Sequence, residues 1–149
     1  MLTTRKLFCL NVGLDDALVV PCPSGERRFV AVTGGSVIGD CLSGEILPGG
    51  SDVQRVRADG VVELDIRAVL LTSRGTSVYL RGQGLRHGPP GVMDLFATGA
   101  DVPADSYYFR ECLFFETDDP ELVWLTRVLT IGSGRRSRNA ATIDVFEVC

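Results

Sequence analysis

Lysine occurs once, at Lys6, and histidine once, at His87, and these two scarcities exclude more chemistry than any motif in the chain supports. A single lysine near the start leaves no Tyr-x-x-x-Lys pair, no Gly-Lys-Ser/Thr phosphate loop and no mid-chain Schiff base. A single histidine rules out a multi-histidine zinc or iron site within one chain. The five cysteines, Cys9, Cys22, Cys41, Cys112 and Cys149, are odd in number and widely spaced, without a CxxC pair, so reduced thiols are expected. No DxDxDG run offers an oxygen-only cation loop. The chain is therefore read as needing no metal and no cofactor. A GxSxG elbow is missing too, because Gly49, Ser51 and Val53 fall one glycine short, and a serine hydrolase would have to use His87 as its base.

No apolar stretch approaches the roughly eighteen residues that span a membrane. The opening MLTTRKLFCLNVGLDDALVV has a basic pair followed by apolar residues, but Asn11, Asp15 and Asp16 interrupt it before the apolar core of a secretory signal is complete. A cytoplasmic protein with no membrane partner is expected. Fifteen basic against nineteen acidic side chains leave a net charge of −4, too acidic for a phosphate-neutralising face, so nucleic acid is not an expected partner. Arg135, Arg136 and Arg138 cluster, but beside Gly132, Ser133 and Gly134 they read as a solvated hairpin turn.

What the chain does have is short blocks of β-branched and aromatic residues divided by Gly, Pro and Asp, the pattern of many strands. The runs are Leu7–Leu14, Arg28–Thr33, Glu45–Leu47, Val53–Arg57, Val61–Thr72, Ser77–Gln83, Tyr107–Glu116, Val128–Ile131 and Thr142–Val148. Asp59-Gly60 and Arg74-Gly75 make hairpin turns between them. Two short helices fit the gaps, one near Val92–Phe96 after Pro89 and Pro90, the other near Glu121–Arg127 with Asp119 as N-cap and Pro120 in first position. Without helical crossovers the strands must be antiparallel, and closure into a barrel removes their edges. At 149 residues, one all-β domain over 1–149, a small antiparallel barrel with one or two short helices, is the expected fold.

The stretch Gly34–Arg67, GGSVIGDCLSGEILPGGSDVQRVRADGVVELDIR, concentrates glycines, lone carboxylates and alternating charge. VTGGSVIGD mimics a dinucleotide phosphate loop, but Ile38 stands where the third glycine belongs and no helix follows, so a strand with a bulge or bend is expected. Together with GQGLRHGPP, SYYFRECLFFETDDPELVWLTR and the closing IDVFEV, the chain resembles the domain of unknown function 3237 family, also called uncharacterised protein family 0311. The resemblance runs nearly end to end and implies a small antiparallel β-barrel without fixing an activity. Glu45 and Asp52 match carboxylates in the family's GE-x-LPGG-x-D segment.

Candidate chemistry is acid/base without a cofactor. Glu45 and Asp52 flank the turn Pro48-Gly49-Gly50-Ser51, and a carboxylate whose pKa is raised by partial burial can accept a proton. Capping of the turn by Asp52 and an arginine partner for Glu45 are the plainer alternatives. His87, in the Gly- and Pro-rich loop after Ser77–Gln83, is the best acid/base group by side-chain chemistry. In Val61–Thr72, Val62, Leu64, Ile66, Ala68 and Leu70 share one face and Glu63, Asp65 and Arg67 the other. If the charged face lines the lumen, Asp65 and Arg67 orient a ligand against Tyr79 and Arg81 of the next strand; otherwise it meets solvent. Tyr108 and Arg110 share a strand face able to bind an oxyanion or phenolic ring. Trp124 reads as a plug over one barrel end or as a ligand contact. The expected function is a small cofactor-free enzyme of isomerase, cyclase or lyase type, acting on an apolar or aromatic oxygenated metabolite, with Glu45, Asp52 and His87 moving protons. The alternative is a barrel that binds a small hydrophobic ligand without changing it. A small molecule is the expected partner, and homo-oligomer formation stays open.

Overall fold

The computed structural model describes residues 1–149. Ten strands run in the order β1 Thr4–Leu14, β2 Leu18–Cys22, β3 Gly25–Ile38, β4 Gly44–Ile46, β5 Ser51–Val56, β6 Val62–Thr72, β7 Ser77–His87, β8 Tyr108–Glu116, β9 Thr130–Ser137 and β10 Ala140–Val148. One helix, α1 Pro90–Ala97, follows β7, and 3₁₀ turns form at Ala104–Ser106 and Val123–Arg127. All pairings are antiparallel. β1 pairs with both β10 and β3, closing the circuit β1-β10-β9-β8-β7-β6-β3 through a stave that β4 and β5 share. β2 stands outside the circuit, pairing only with the first half of β3.

The long strand β3 makes this possible. Its first half meets β5 and its second half meets β1 and β4, with a register shift opposite Gly13-Leu14. Gly34 and Gly35 lie there at φ of 133° and 148°, and a Cβ on Gly35 would stand 2.0 Å from the Asn11 carbonyl oxygen. The glycines of VTGGSVIGD are thus the bend of a strand, as their sequence context implies.

Period-two alternation sorts the side chains. On β6, Val62, Leu64, Ile66, Ala68 and Leu70 are buried, while Glu63, Asp65 and Arg67 turn out to solvent. Phe8, Leu10, Leu80, Leu113, Phe115, Ile143 and Val145 complete the core. The second expected helix is instead the 3₁₀ turn Val123–Arg127, since only thirteen residues separate β8 from β9 and much of that link is spent reversing direction. Asp119 does not cap it: its carboxylate accepts the Glu121 N–H at 2.9 Å in the turn that precedes it, and Leu122 takes the N-cap position without a side-chain hydrogen bond. Leu122 and Leu125 bury themselves over that end of the barrel, and Trp124 packs half-buried beside them. All five cysteines are free thiols. No helix is long and apolar enough to cross a membrane.

Candidate active site

The opposite end of the barrel carries the unusual chemistry. Along β5 the alternation is inverted: Asp52 and Gln54 are buried while Val53 is not. Asp52 lies between Val30 of β3 and Ile66 of β6. Its carboxylate accepts the Gln54 amide at 2.8 Å and the Asp65 backbone N–H at 3.0 Å. Burial raises the Asp52 pKa, and those two hydrogen bonds oppose the rise.

β7 and β8 supply the partners. Continuing the inward series Val78, Leu80, Gly82 and Gly84 by one step brings Arg86 into the lumen, 3 % exposed. The matching series on β8 is Phe109, Glu111, Leu113 and Phe115, and Glu111 is 4 % exposed. The glycine opposite Glu111 is what admits it. Gly84 pairs with Glu111, and a Cβ on Gly84 would lie 2.5 Å from Glu111 Cγ. On the other flank a Cβ on Gly134 would lie 2.6 Å from the Phe109 ring. Bare backbone on both sides of β8 gives its large inward side chains their space.

Burial, with Asp52 nearby, pushes the Glu111 carboxyl up to about 8, so it is mostly protonated at neutral pH. Arg86 is pulled down to about 10 by burial and by Arg136. Its guanidinium carbon sits 4.7 Å from the Phe96 ring centre on α1 and 5.8 Å from that of Phe109. It makes no salt bridge. The Nε of Arg86 and Oε2 of Glu111 are buried without hydrogen-bond partners. Arg136, inward on β9, is also lowered by burial, and its backbone N–H donates to the Tyr107 hydroxyl at 2.9 Å. Phe96 meets Tyr107 edge-on at 5.3 Å, fixing α1 over this end.

Free space follows the charges. A cavity of about 260 Å³ opens beneath α1, lined by Arg28, Gln54, Arg86, Phe96, Arg136 and Arg138 among others. Arg86 and Arg136 also border a void of only about 10 Å³, which Asp52 and Glu111 line as well. A larger groove, about 470 Å³, runs over the outer wall past Arg27, Glu63, Asp65, Gln83, Tyr108 and Arg110. Glu63 there is ion-paired with Arg55 at 2.8 Å, and Asp65 with Arg67 at 3.4 Å.

Of the residues singled out from the sequence, only Asp52 lies on the lumen floor. Glu45 and His87 do not converge with it: Glu45 is exposed on β4, and His87 ends β7 facing outward, stacked on Tyr108 with ring centres 5.0 Å apart. Asp65, Arg67, Tyr79, Arg81, Tyr108 and Arg110 all occupy outward positions of β6, β7 and β8. Arg81 lies over the Phe114 ring at 4.3 Å and Arg110 over Tyr108 at 5.5 Å, surface contacts both. Trp124 is at the far end. Arg135, Arg136 and Arg138 are not one turn: Arg135 pairs with Asp144 at 3.0 Å, whereas Arg136 points into the lumen. Arg86, Glu111 and Gln54 went unmarked in the sequence and Arg136 was read as part of a solvated turn, although Glu111 and Arg86 stand as single charges on otherwise apolar or glycine inward faces.

The chain is a closed antiparallel β-barrel with two buried carboxyls and an unpaired guanidinium at one end of its lumen. Its lineage agrees. The chain belongs to the family described as protein of unknown function DUF3237, which it matches over residues 2–148. It is 32% identical to the UPF0311 protein RPA1785 of Rhodopseudomonas palustris over 148 residues, 99% of this chain and 97% of that one. The crystal structure of RPA1785 superposes with a TM-score of 0.97, covering 100% of this chain and 99% of its own. A β-barrel-like protein of Acinetobacter baumannii is 32% identical, with a TM-score of 0.86 over 100% and 97% of the two chains. A structure described as an enzyme from Penicillium herquei matches at TM-score 0.74 over 99% and 95%, with 15% identity, a likeness of fold alone.

Proposed function

We propose that this chain is a cofactor-independent acid/base enzyme, of isomerase, cyclase or lyase type, acting on a small oxygenated metabolite seated beneath α1. The observation that carries the reading is the pair of lumen carboxyls in unlike surroundings below an unpaired arginine. Two interacting carboxyls share protons unequally, and the one with more hydrogen bonds to its ionised form stays ionised. Asp52, held by Gln54 and the Asp65 N–H, is the carboxylate and proton acceptor. Glu111, raised to about 8, is the proton donor. Arg86 and Arg136 stabilise the enolate or alkoxide that forms between them. The P. herquei neighbour described as an enzyme supports a barrel of this shape doing chemistry. The carrier alternative draws less support, because below the arginines the lumen is filled by side chains rather than open to an apolar ligand.

The test is proton exchange. A panel of small enolisable ketones, phenols and unsaturated acids is incubated with the protein in D2O and followed by proton NMR. Exchange catalysed by the native chain and lowered about 10²-fold or more by Asp52→Asn and by Glu111→Gln is the expected result. Ligands that bind without exchange, equally in all three proteins, would make the barrel a carrier.

A further inference from the structure

The mouth beneath α1 is more positive than its own carboxylates can balance. Arg28, Arg86, Arg136 and Arg138 border it, against the single acidic side chain Asp16. Arg28 already has Glu26 at 2.7 Å. Arg86 has nothing of the kind. The Asp52 oxygens are engaged by Gln54 and the Asp65 N–H, and the Glu111 carboxyl is neutral for most of the physiological range. A buried guanidinium without a salt-bridge partner is costly, and structural arginines are normally paired. Phe96 covers a face of the Arg86 guanidinium, which leaves its edge as the way in. The Nε–H is buried without a partner, whereas the two Nη groups are neither sealed nor hydrogen-bonded, and together they form the end-on fork that grips both oxygens of a planar carboxylate. The remaining lining is apolar, with Ala17, Val30, Phe96, Ala97 and Ala100.

We infer that the substrate carries a carboxylate, bound by the guanidinium fork of Arg86 with Arg136 beside it, and that its apolar body lies against Phe96 and Ala100. The inference rests on the acid/base reading of the same lumen but is tested by binding alone. At about 260 Å³ the cavity suits a compound of one ring or a short unsaturated chain. The carboxylate also explains why Arg86 is where it is: it anchors the ligand above Asp52 and Glu111, so that the carbon next to the anchored group meets the floor.

Benzoate, its neutral isostere benzamide and inorganic phosphate are titrated into the full chain by calorimetry, with the arginine Nε–H signals followed by NMR. Benzoate is expected to bind about tenfold or more tighter than benzamide, about 1.4 kcal/mol, and to shift a slowly exchanging arginine Nε–H. Arg86→Lys, which keeps the charge and the fold but loses the fork, is expected to forfeit most of that preference, and Arg86→Gln all of it. Asp52→Asn is expected to retain benzoate binding even where proton exchange is lost, which separates this claim from the catalytic one. Equal binding of benzoate and benzamide, a preference for phosphate, or an Arg86→Lys protein that still prefers benzoate would each overturn it. Should Arg86→Gln not fold, the native Nε–H shift and the Arg86→Lys titration decide.

Discussion

Replacing Glu111 by glutamine removes one titrating proton from the lumen and little else, so the effect on stability can be worked out beforehand. In the unfolded chain this carboxyl titrates near 4.5, and in the barrel burial carries it to about 8. The folded protein therefore binds the proton more tightly than the unfolded chain does. Below about 4.5 both states hold it and the group is silent. As pH rises from there to about 8, the unfolded chain releases its proton first, and stability falls by up to about 1.4 kcal/mol per pH unit. The full window caps the loss on the order of 5 kcal/mol, a large share of what a domain this size has to spare. Asp52, also raised, acts in the same direction. Urea unfolding at half-unit steps from pH 5 to 9 reads the slope, with Glu116→Gln, exposed at the end of the same strand, as the control. The native chain and Glu116→Gln should lose stability steadily from pH 5 to about 8, while Glu111→Gln flattens the curve and is the more stable protein at pH 8. A native curve that is level from pH 5 to 7.5, or a Glu111→Gln curve with the native slope, would refute a buried neutral Glu111.

Gly84→Ala should destabilise the fold by about 1–3 kcal/mol or more, because the new Cβ would stand 2.4 Å from the Arg110 carbonyl and 2.5 Å from Glu111 Cγ; thermal unfolding checks it. Phe96→Ala should leave the barrel folded by circular dichroism yet weaken benzoate binding, since Phe96 supports both Arg86 and Tyr107. Glu45→Gln and His87→Gln should keep proton-exchange rates within about twofold of the native chain, as surface substitutions away from a site ordinarily do. A loss comparable to that of Asp52→Asn in either would move the chemistry to the outer rim.

Strands and their turns were legible because period-two alternation is a local signal. Asp59-Gly60 and Arg74-Gly75 do close hairpins, with Gly60 and Gly75 at φ of 85° and 86°. β2 was not legible: Leu18, Val19 and Val20 do not alternate, and all three are exposed on the arm outside the barrel. The site was half hidden by one boundary. Ending the strand at Gln83, just before Gly84, stopped β7 short and left His87 in a loop mouth. In the barrel Gly82 and Gly84 are interior strand residues that make room for Leu113 and Glu111, and four more residues of alternation turn Arg86 in and His87 out. Arg136 was lost the same way, because Gly132 and Gly134 resemble a turn but sit in β9 to clear Ile143 and Phe109. The faces of β6 and β8 were sorted correctly, yet which face meets the lumen depends on closure, a non-local fact that no single strand encodes.

The floor of the lumen is the part of the molecule that packing alone would not produce. Every other inward position of β6, β7 and β8 is apolar or glycine apart from Thr72, Arg86 and Glu111, and Thr72 satisfies itself against Thr76 at 2.7 Å. A polar cluster kept for structure alone closes on itself, since each unmade hydrogen bond in a core costs about 1–3 kcal/mol. The far end of the barrel has such a cluster: Asp119 is engaged by Thr76, Arg74 and the Glu121 N–H together. The lumen cluster does the opposite, leaving one donor on Arg86 and one acceptor on Glu111 unused, with a cavity opening from Arg86 to solvent. Strained or unsatisfied groups gather where a ligand completes them. The contrast between these two clusters, built in one small barrel from the same residue types, is why the functional reading attaches to Asp52, Arg86 and Glu111 and not to Asp119.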